Sequence, residues 1–471
     1  MRALTARQAA CLICSVWVMV CAWDPVHSTG GSDPVRAWQV VHGQSAASAG
    51  GPTMPSIRYG HAVGVDGDAM LVTLGYYFDR EANHATWKSD TWALDMCAPH
   101  AWARLHAGIE QEHALKSYQA GSAPHSPAGR FGHSAVTHGG LLYVYGGHDG
   151  GYSRHGEQNY VPGYDFDELW AFSPATRTWA LLPPSGGEVG APSPGPRYLH
   201  AAALVAAGRM VVTGGLQKAQ GDMWSLDLHT RSWSLLAPEA ARSNGGPGRR
   251  VGASLSAVEV PGGASGVLLL GGRYIDPDGS SSLDAAPFFF DLSKNTWRAV
   301  DSVGAAGGPV PVGRKYHAQA STWLRVATDG SFLGADAPAD ATSAAKEEYV
   351  LAIVMLGGTI TTPGLTCSEE AWLATVDCGA QQVVWTVLPG LAPATYDLRG
   401  VLSASGVVFS FGGHLCPNSK GDMPFYYTNA VSKLDLPASG VRVPASACRV
   451  RGEKLPAGVR RGGGVVPEVE L

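Results

Sequence analysis

Short apolar runs, separated by glycine, proline and acidic residues, follow one another along most of the chain. Clear examples lie at residues 141–145 and 169–172, where Leu, Tyr, Val, Trp and Phe dominate. Runs of about four to eight residues with this composition are typical of β-strands, whereas amphipathic helices need longer segments with a helical period. We therefore predict an all-β protein.

The runs belong to a repeated unit that is most complete at residues 130–182. It opens with Arg-Phe-Gly-His at 130–133, continues into an apolar run ending at the glycine pair 146–147, and closes with Trp179. A Trp followed three positions later by an aliphatic residue recurs at Trp38, Trp102, Trp179, Trp233, Trp297 and Trp385. Four strands per unit, at a period of roughly 45–55 residues, predict the blades of a β-propeller.

The first of these Trp segments precedes any complete unit, and the last unit has no Trp of its own. We therefore predict that residues 36–42 supply the outer strand of the last blade, which leaves no sheet edge unpaired. The prediction is a six-bladed propeller over residues 36–436, closed by an N-terminal strand. Its blades are 58–105, 130–182, 197–236, 250–300, 314–388, and 399–436 together with 36–42.

The unit resembles the kelch repeat in its Arg-x-x-His opening, its apolar strand ending in Gly-Gly, and the Trp of its fourth strand. The opening recurs at residues 58–61 and 197–200 and, with Lys-Tyr between, at 314–317. Residues 250–253 lack the His, and the last unit has Asp397-Leu-Arg399-Gly400. The resemblance, to the kelch superfamily that includes the central domain of galactose oxidase, implies a kelch-type β-propeller. It implies little about function, because one fold serves many functions.

The recurring His and Arg residues follow the period of the repeat. His61, His133, His200 and His317 occupy one position in four units, and Arg58, Arg130, Arg197 and Arg314 another. We interpret the histidines as structural hydrogen-bonding groups near the start of the inner strands. The arginines receive the same interpretation, with anion binding as the alternative.

Charge and N-terminal composition bear on partners and compartment. Charged residues make up 15% of the chain, the formal net charge is −5, and no basic patch indicates nucleic acid.

Arg2 and Arg7 precede the apolar stretch 9–22, which predicts a signal peptide over residues 1–22 and a secreted or lumenal protein. The alternative is a membrane anchor formed by an uncleaved N-terminal segment; we otherwise expect no stable membrane span. The apolar residues of 437–471 show no periodicity, and we therefore predict that this segment is a disordered tail.

Five cysteines lie outside the predicted signal: Cys97, Cys367, Cys378, Cys416 and Cys448. An odd number does not indicate a dense disulfide framework. Cys367 and Cys416 both lie in loops between the second and third strands of adjacent blades. They are the pair for which we predict a disulfide.

The longest loops fall on one face of the predicted propeller, and the candidate site lies there because long loops on a rigid scaffold often bind ligands. His148 and His414 each follow a glycine pair, in blades two and six, on either side of blade one. Aromatic and hydrogen-bonding groups surround them and would suit a peptide or a sugar. The candidate binding residues are His148, Asp149, Tyr152, Arg154, Tyr160, Tyr164, Arg273, Tyr274, His414, Tyr426 and Tyr427.

We therefore favour a non-catalytic module that binds a protein or a glycan through its long-loop face. No catalytic residue, metal ligand or cofactor is predicted, because neither a copper-radical oxidase motif nor a hydrolase or P-loop motif can be placed. The alternative is a carbohydrate-active enzyme, similar to sugar mutarotases or copper-radical oxidases, with its site in the central funnel.

Overall fold

The computed structural model describes residues 38–42, 53–79, 84–109, 125–150, 152–153, 160–161, 163–183, 192–216, 221–259, 265–276, 278–334, 347–361, 366–416 and 427–451. All of them belong to one compact unit, Val35–Leu471. The predicted signal peptide lies outside the described residues. Within the residues that the structure describes, no helix is long and apolar enough to cross a membrane.

Five antiparallel sheets, numbered 1 to 5 in chain order, each contain four strands that follow one another in sequence and in space. Their strands are Ala62–Asp66, Ala69–Thr73, Thr91–Asp95 and Trp102–His106 in sheet 1; Ser134–His138, Leu141–Tyr145, Leu169–Ser173 and Thr178–Leu182 in sheet 2; Ala201–Val205, Arg209–Thr213, Met223–Asp227 and Ser232–Ala237 in sheet 3; Ser254–Glu259, Ser265–Leu270, Phe288–Asp291 and Thr296–Ala299 in sheet 4; and Ala318–Val326, Glu348–Leu356, Ala371–Asp377 and Gln382–Val387 in sheet 5. The protein is therefore all-β.

A sixth sheet joins the two ends of the chain. Arg399–Leu402, Val407–Phe411 and Val431–Asp435 form its first three strands, and Gln39–His42 is its fourth. Gln39 pairs with Lys433 and Val40 with Ser432, in antiparallel register. Gln39–His42 is thus the edge strand of this sheet, beside Val431–Asp435.

Shorter elements connect or extend these sheets. Ser302–Gly304 adds a parallel strand to the outer edge of sheet 5, and Val450–Arg451 pairs with its second strand. Small pairings are formed by Tyr76–Asp79 with His84–Trp87, by Tyr152–Ser153 with Tyr160–Val161, by Thr395–Tyr396 with His414–Leu415, and by Arg273–Ile275 with Arg250–Val251 and Ser281–Leu283. Short 3-10 turns lie at Ala206–Gly208, Arg242–Asn244 and Ala305–Gly307.

The core lies between the sheets. Every residue of the second strand of sheet 2, Leu141–Tyr145, is buried, because a central strand is covered on both of its faces. A cluster of buried apolar side chains fills each junction between consecutive sheets. One more cluster joins sheet 6 to sheet 1, where Phe409 and Phe411 pack with Met70 and Val72. The first strands contact one another in the same cyclic order.

Backbone hydrogen bonds also link each sheet to the next. The second glycine of each pair donates its N–H to the carbonyl of the residue that opens the following repeat, over 2.8–3.0 Å. The six links run from Gly75 to Arg130, Gly147 to Arg197, Gly215 to Arg250, Gly272 to Arg314, Gly358 to Thr395 and Gly413 to Arg58. They form a closed cycle. In sheet 1 the equivalent two residues are Leu74 and Gly75, and Gly75 makes the link.

Two disulfides fasten sheet 5 to its surroundings. The predicted pair Cys367–Cys416 is present, with a Cα–Cα distance of 5.8 Å. A second pair, Cys378–Cys448, has a Cα–Cα distance of 5.1 Å and was not predicted. Both separations lie in the range normal for disulfides.

The prediction of a disordered tail over residues 437–471 is wrong for residues 437–451. Cys448 is bonded to sheet 5, Val450 pairs with Tyr349, and the Arg449 guanidinium lies 2.9 Å from a carboxylate oxygen of Glu348. These contacts hold the segment without any apolar periodicity of its own. The remainder, 452–471, lies outside the described residues.

The packing of the N-terminal strand gives a first prediction. Val41 packs into the cluster between sheets 6 and 1, whereas its neighbour Val40 is 59% exposed. Val41→Asp should lower the free energy of unfolding by about 2 kcal/mol, because it brings an unpaired carboxylate against the core. Val40→Asp is the matched control and should change it by less than about 0.5 kcal/mol. Denaturant unfolding measures both, and equal effects would show that this strand does not pack as described.

Candidate functional site

The arginines that open the repeats are structural. Arg197 donates to both carboxylate oxygens of Asp222 at 3.0 and 2.9 Å and to the carbonyl of Gly214 at 3.1 Å. Trp224 Nε1 donates to the same carboxylate at 2.8 Å. The arrangement recurs with Arg58, Asp90 and Trp92, with Arg130, Glu168 and Trp170, and with Arg314, Glu370 and Trp372. An arginine satisfied in this way has little capacity left for an external anion.

The repeated histidines are buried and neutral. His200 Nε2 lies 2.7 Å from Ser134 Oγ, and His317 Nε2 lies 2.6 Å from Ser254 Oγ, so each joins its sheet to the preceding one. Burial lowers the pKa of both rings to about 3. Burial likewise holds the pKa of His61 and His133 well below its usual value. The predicted structural hydrogen bond is thus confirmed for His200 and His317.

Aromatic side chains form a continuous row across sheets 6, 1, 2 and 3, at the end where the first strands begin. Each ring contacts the next, with centroid distances of 4.4–6.1 Å. In order, this aromatic arc consists of Tyr396, His414, Tyr427, Tyr59, Tyr76, Trp87, Phe131, His148 and Tyr198. His414 and Tyr427 are buried and the other seven are half-buried. Burial raises the pKa of Tyr76 to about 12, so its hydroxyl stays protonated.

The two histidines singled out in the sequence both belong to this arc. His148 stacks on Tyr198 at 4.7 Å, and its Nδ1 lies 2.7 Å from a carboxylate oxygen of Asp165. His414 stacks on Tyr396 at 4.6 Å. They therefore lie on one face, on either side of sheet 1. Six residues of the arc are absent from the predicted set. Two are Tyr76 and Trp87, and the other four each directly follow the residue that opens a repeat: Tyr59, Phe131, Tyr198 and Tyr396.

The other candidates lie around the arc. Asp149 is buried and accepts the backbone N–H of Tyr164, whose side chain is 52% exposed and packs on Phe166. The backbones of Tyr152 and Tyr160 belong to a short pairing. Arg154 and Tyr426 lie outside the described residues.

Sheets 4 and 5 contribute basic groups at the same end of the first strands. Arg273 and Lys315 are half-buried, and Tyr274 lies beneath the guanidinium of Arg242 at 4.0 Å. Burial, aided by the charge of Arg273, lowers the pKa of Lys315. Arg273 donates no side-chain hydrogen bond within the described part of the chain. We call Arg273 and Lys315 the basic pair.

A cavity of about 160 Å³, lined by the first strands of all six sheets, contains the residues that sequence reasoning missed. Asp397 and Arg399 line it, with the Asp397 Oδ1 to Arg399 Nη1 distance at 3.8 Å. The signal in the sequence that points to them is the departure of the sixth repeat from Arg-x-x-His. We call this space the central cavity.

A larger cavity, of about 230 Å³, lies between sheets 4 and 5. Its polar side chains are engaged locally: Lys294 pairs with Asp291 at 3.4 Å, and Asp377 accepts two backbone N–H groups of its own hairpin. We therefore regard the smaller, central cavity as the better candidate for a binding site. No group of three His, Cys, Asp or Glu side chains that could hold a metal occurs within the described ranges.

Comparison with known proteins identifies the repeat. The family model "KLHDC2/KLHL20/DRC7 Kelch-repeats domain" matches residues 51–259. The matched segment, residues 51–259, is therefore a kelch-repeat region. The chain is 31% identical to Kelch domain-containing protein 3 of Mus musculus over 122 residues, which is 24% of this chain and 28% of that protein. The match to the Homo sapiens protein, also 31% identical, covers 24% and 27%.

One solved structure aligns with most of the chain. The protein described as "Structure of YjhT" aligns with a TM-score of 0.47 at 15% identity, over 81% of this chain and 95% of that one. The chain spans less than a third of the length of the curated relatives it matches.

The burial of Asp397 generates a pH-dependent prediction. Burial raises the pKa of its carboxyl group from 3.8 to about 6, against the opposing charges of Arg399 and Lys315. The folded state therefore favours the protonated form, and ionisation costs stability as the pH rises through this window. Asp397→Asn should raise the free energy of unfolding at pH 8 by about 3 kcal/mol, with no gain below about pH 4.

Denaturant unfolding at several pH values measures this gain. The exposed Asp68→Asn serves as the control and should give no comparable pH-dependent difference. A gain from Asp397→Asn that is constant between pH 4 and 8 would contradict the burial of an ionising carboxyl group.

Proposed function

We propose that the six sheets are the blades of a six-bladed propeller closed by the N-terminal strand. Two independent cycles support this proposal. Apolar clusters lie between all consecutive sheets, including sheets 6 and 1. The glycine-to-carbonyl hydrogen bonds return from Gly413 to Arg58.

We further propose that this propeller is a non-catalytic protein-binding module whose site is formed by the aromatic arc and the basic pair. The aromatic arc supports this most directly, because half-buried aromatic side chains supply much of the binding energy in protein interfaces. The tyrosine hydroxyls of the arc add hydrogen-bond donors beside the apolar rings.

The basic pair favours a polypeptide over a neutral glycan. Arg273 and Lys315 place two cations opposite the arc in a protein whose formal net charge is −5. A neutral sugar offers no partner for these charges, whereas an acidic side chain does. We therefore commit to a partner segment that combines acidic with aromatic or aliphatic residues.

The test is selection from a random peptide library displayed on phage, with the purified protein as bait. Enriched peptides should contain Asp or Glu beside apolar residues. Arg273→Gln and Lys315→Gln should each weaken their binding about tenfold, as measured by fluorescence polarisation, because each removes one charge pair. Tyr76→Leu should also weaken binding, through loss of its hydroxyl.

Lys294→Gln is the matched control, since Lys294 is 73% exposed and lies in the hairpin between the third and fourth strands of sheet 4. It should leave the affinity unchanged. Unchanged affinity in both Arg273→Gln and Lys315→Gln would refute this site. Enrichment of neutral oligosaccharides on a glycan array, with no peptide selected, would refute the choice of partner.

We propose that the protein is secreted or lumenal. The two disulfides support this, since such bonds persist mainly in oxidising compartments. Mass spectrometry of protein from its native source should find an N-terminus after Ala22 and one alkylatable thiol, that of the exposed Cys97. Five alkylatable thiols outside residues 1–22 would contradict this compartment, and a retained N-terminus would favour the anchored alternative.

A further inference from the structure

The sixth repeat departs from the others at two positions that line the central cavity. Where other repeats have Gly60, Gly132 and Gly252, the sixth has Asp397. Where four others have Ala62, Ser134, Ala201 and Ser254, it has Arg399. Of the described residues lining the cavity, these two are the only Asp and Arg, and the histidines beside them are kept neutral by burial.

The two charges form a long ion pair, but they are not joined by a hydrogen bond. Asp397 is 5% exposed, and its Oδ1 is buried with no hydrogen-bond partner among the described residues. Arg399 Nη1 donates to the carbonyl of its neighbour Leu398 at 2.9 Å; the structure gives its guanidinium no other hydrogen bond within the described ranges. At 3.8 Å, the two side chains lie too far apart for a hydrogen bond to each other. A buried carboxylate and a guanidinium left in this state are ready to receive a ligand.

The ligand must match two opposite charges that lie side by side. An anion alone would leave the Asp397 carboxylate unpaired, and a cation alone would leave Arg399 unpaired. A zwitterion satisfies both, because its own opposite charges are similarly close. The volume of about 160 Å³ corresponds to about five water molecules at their liquid density, and Ala62, Val63 and Leu255 give part of the wall an apolar character.

We propose that the central cavity binds a free α-amino acid, with its carboxylate on Arg399 and its ammonium group on Asp397. The unbranched or small apolar side chain of the ligand lies against the alanine and valine walls. This site is distinct from the peptide-binding surface and does not depend on it.

The test uses an isosteric series: L-norleucine, L-2-hydroxyhexanoate, hexanoate and L-norleucinamide. Titration by calorimetry should find norleucine bound at least about tenfold more tightly than each of the other three, since each lacks one of the two charges. Arg399→Gln should abolish norleucine binding. Asp397→Asn should remove the preference for norleucine over 2-hydroxyhexanoate.

Arg273→Gln is the control that separates the two sites: it should weaken the selected peptides and leave norleucine binding intact. Thermal melts establish that each variant is folded. Failure of norleucine to bind at millimolar concentration, equal affinity for all four compounds, or full binding by folded Arg399→Gln would each overturn the proposal.

Discussion

Neighbouring sheets are held together by one recurring hydrogen bond. It runs from the second glycine of each pair to the carbonyl of the residue that opens the next repeat. It requires the two backbones to approach closely. A Cβ atom on Gly146, Gly214 or Gly271 would lie 2.5 Å from that same carbonyl oxygen, and these glycines also have positive φ. The Gly-Gly motif is therefore a contact between repeats, and its period in the sequence is the period of the sheets.

The same contact determines where variation is tolerated. One residue follows the carbonyl that opens each repeat, and another follows each glycine pair. The hydrogen bond holds the backbone at both positions, and their side chains lie at the end where the first strands begin. Tyr59 and Phe131 occupy equivalent positions there, as do His148 and His414 on the neighbouring segment. A constant backbone thus presents side chains that differ from sheet to sheet. This explains how a regular scaffold has an aromatic arc on one side and a basic pair on the other.

The sequence predicted what the repeat determines and missed what it does not. The all-β repeat followed from the short apolar runs and from the spacing of the Trp segments and the glycine pairs. Cys367–Cys416 followed because both residues lie in equivalent loops of adjacent sheets. Cys378–Cys448 did not, because Cys448 lies in a segment without periodicity that is held by contacts distant in sequence. Asp397 and Arg399 were missed because only the packed first strands reveal which residues face the cavity.

The space around Arg399 depends on the repeats that lack a charge. At its position the equivalent residues lining the cavity are Ala or Ser, which leave the centre open. A large side chain from a second repeat would fill the volume, and a second arginine would repel the first. A single repeat with a charge at this position is therefore a better arrangement for a small polar site than six identical repeats. The burial that raises the pKa of Asp397 is a cost to folding that the other repeats avoid. A charge pair that the fold does not need, in a cavity that the fold keeps open, is better explained by a ligand than by stability.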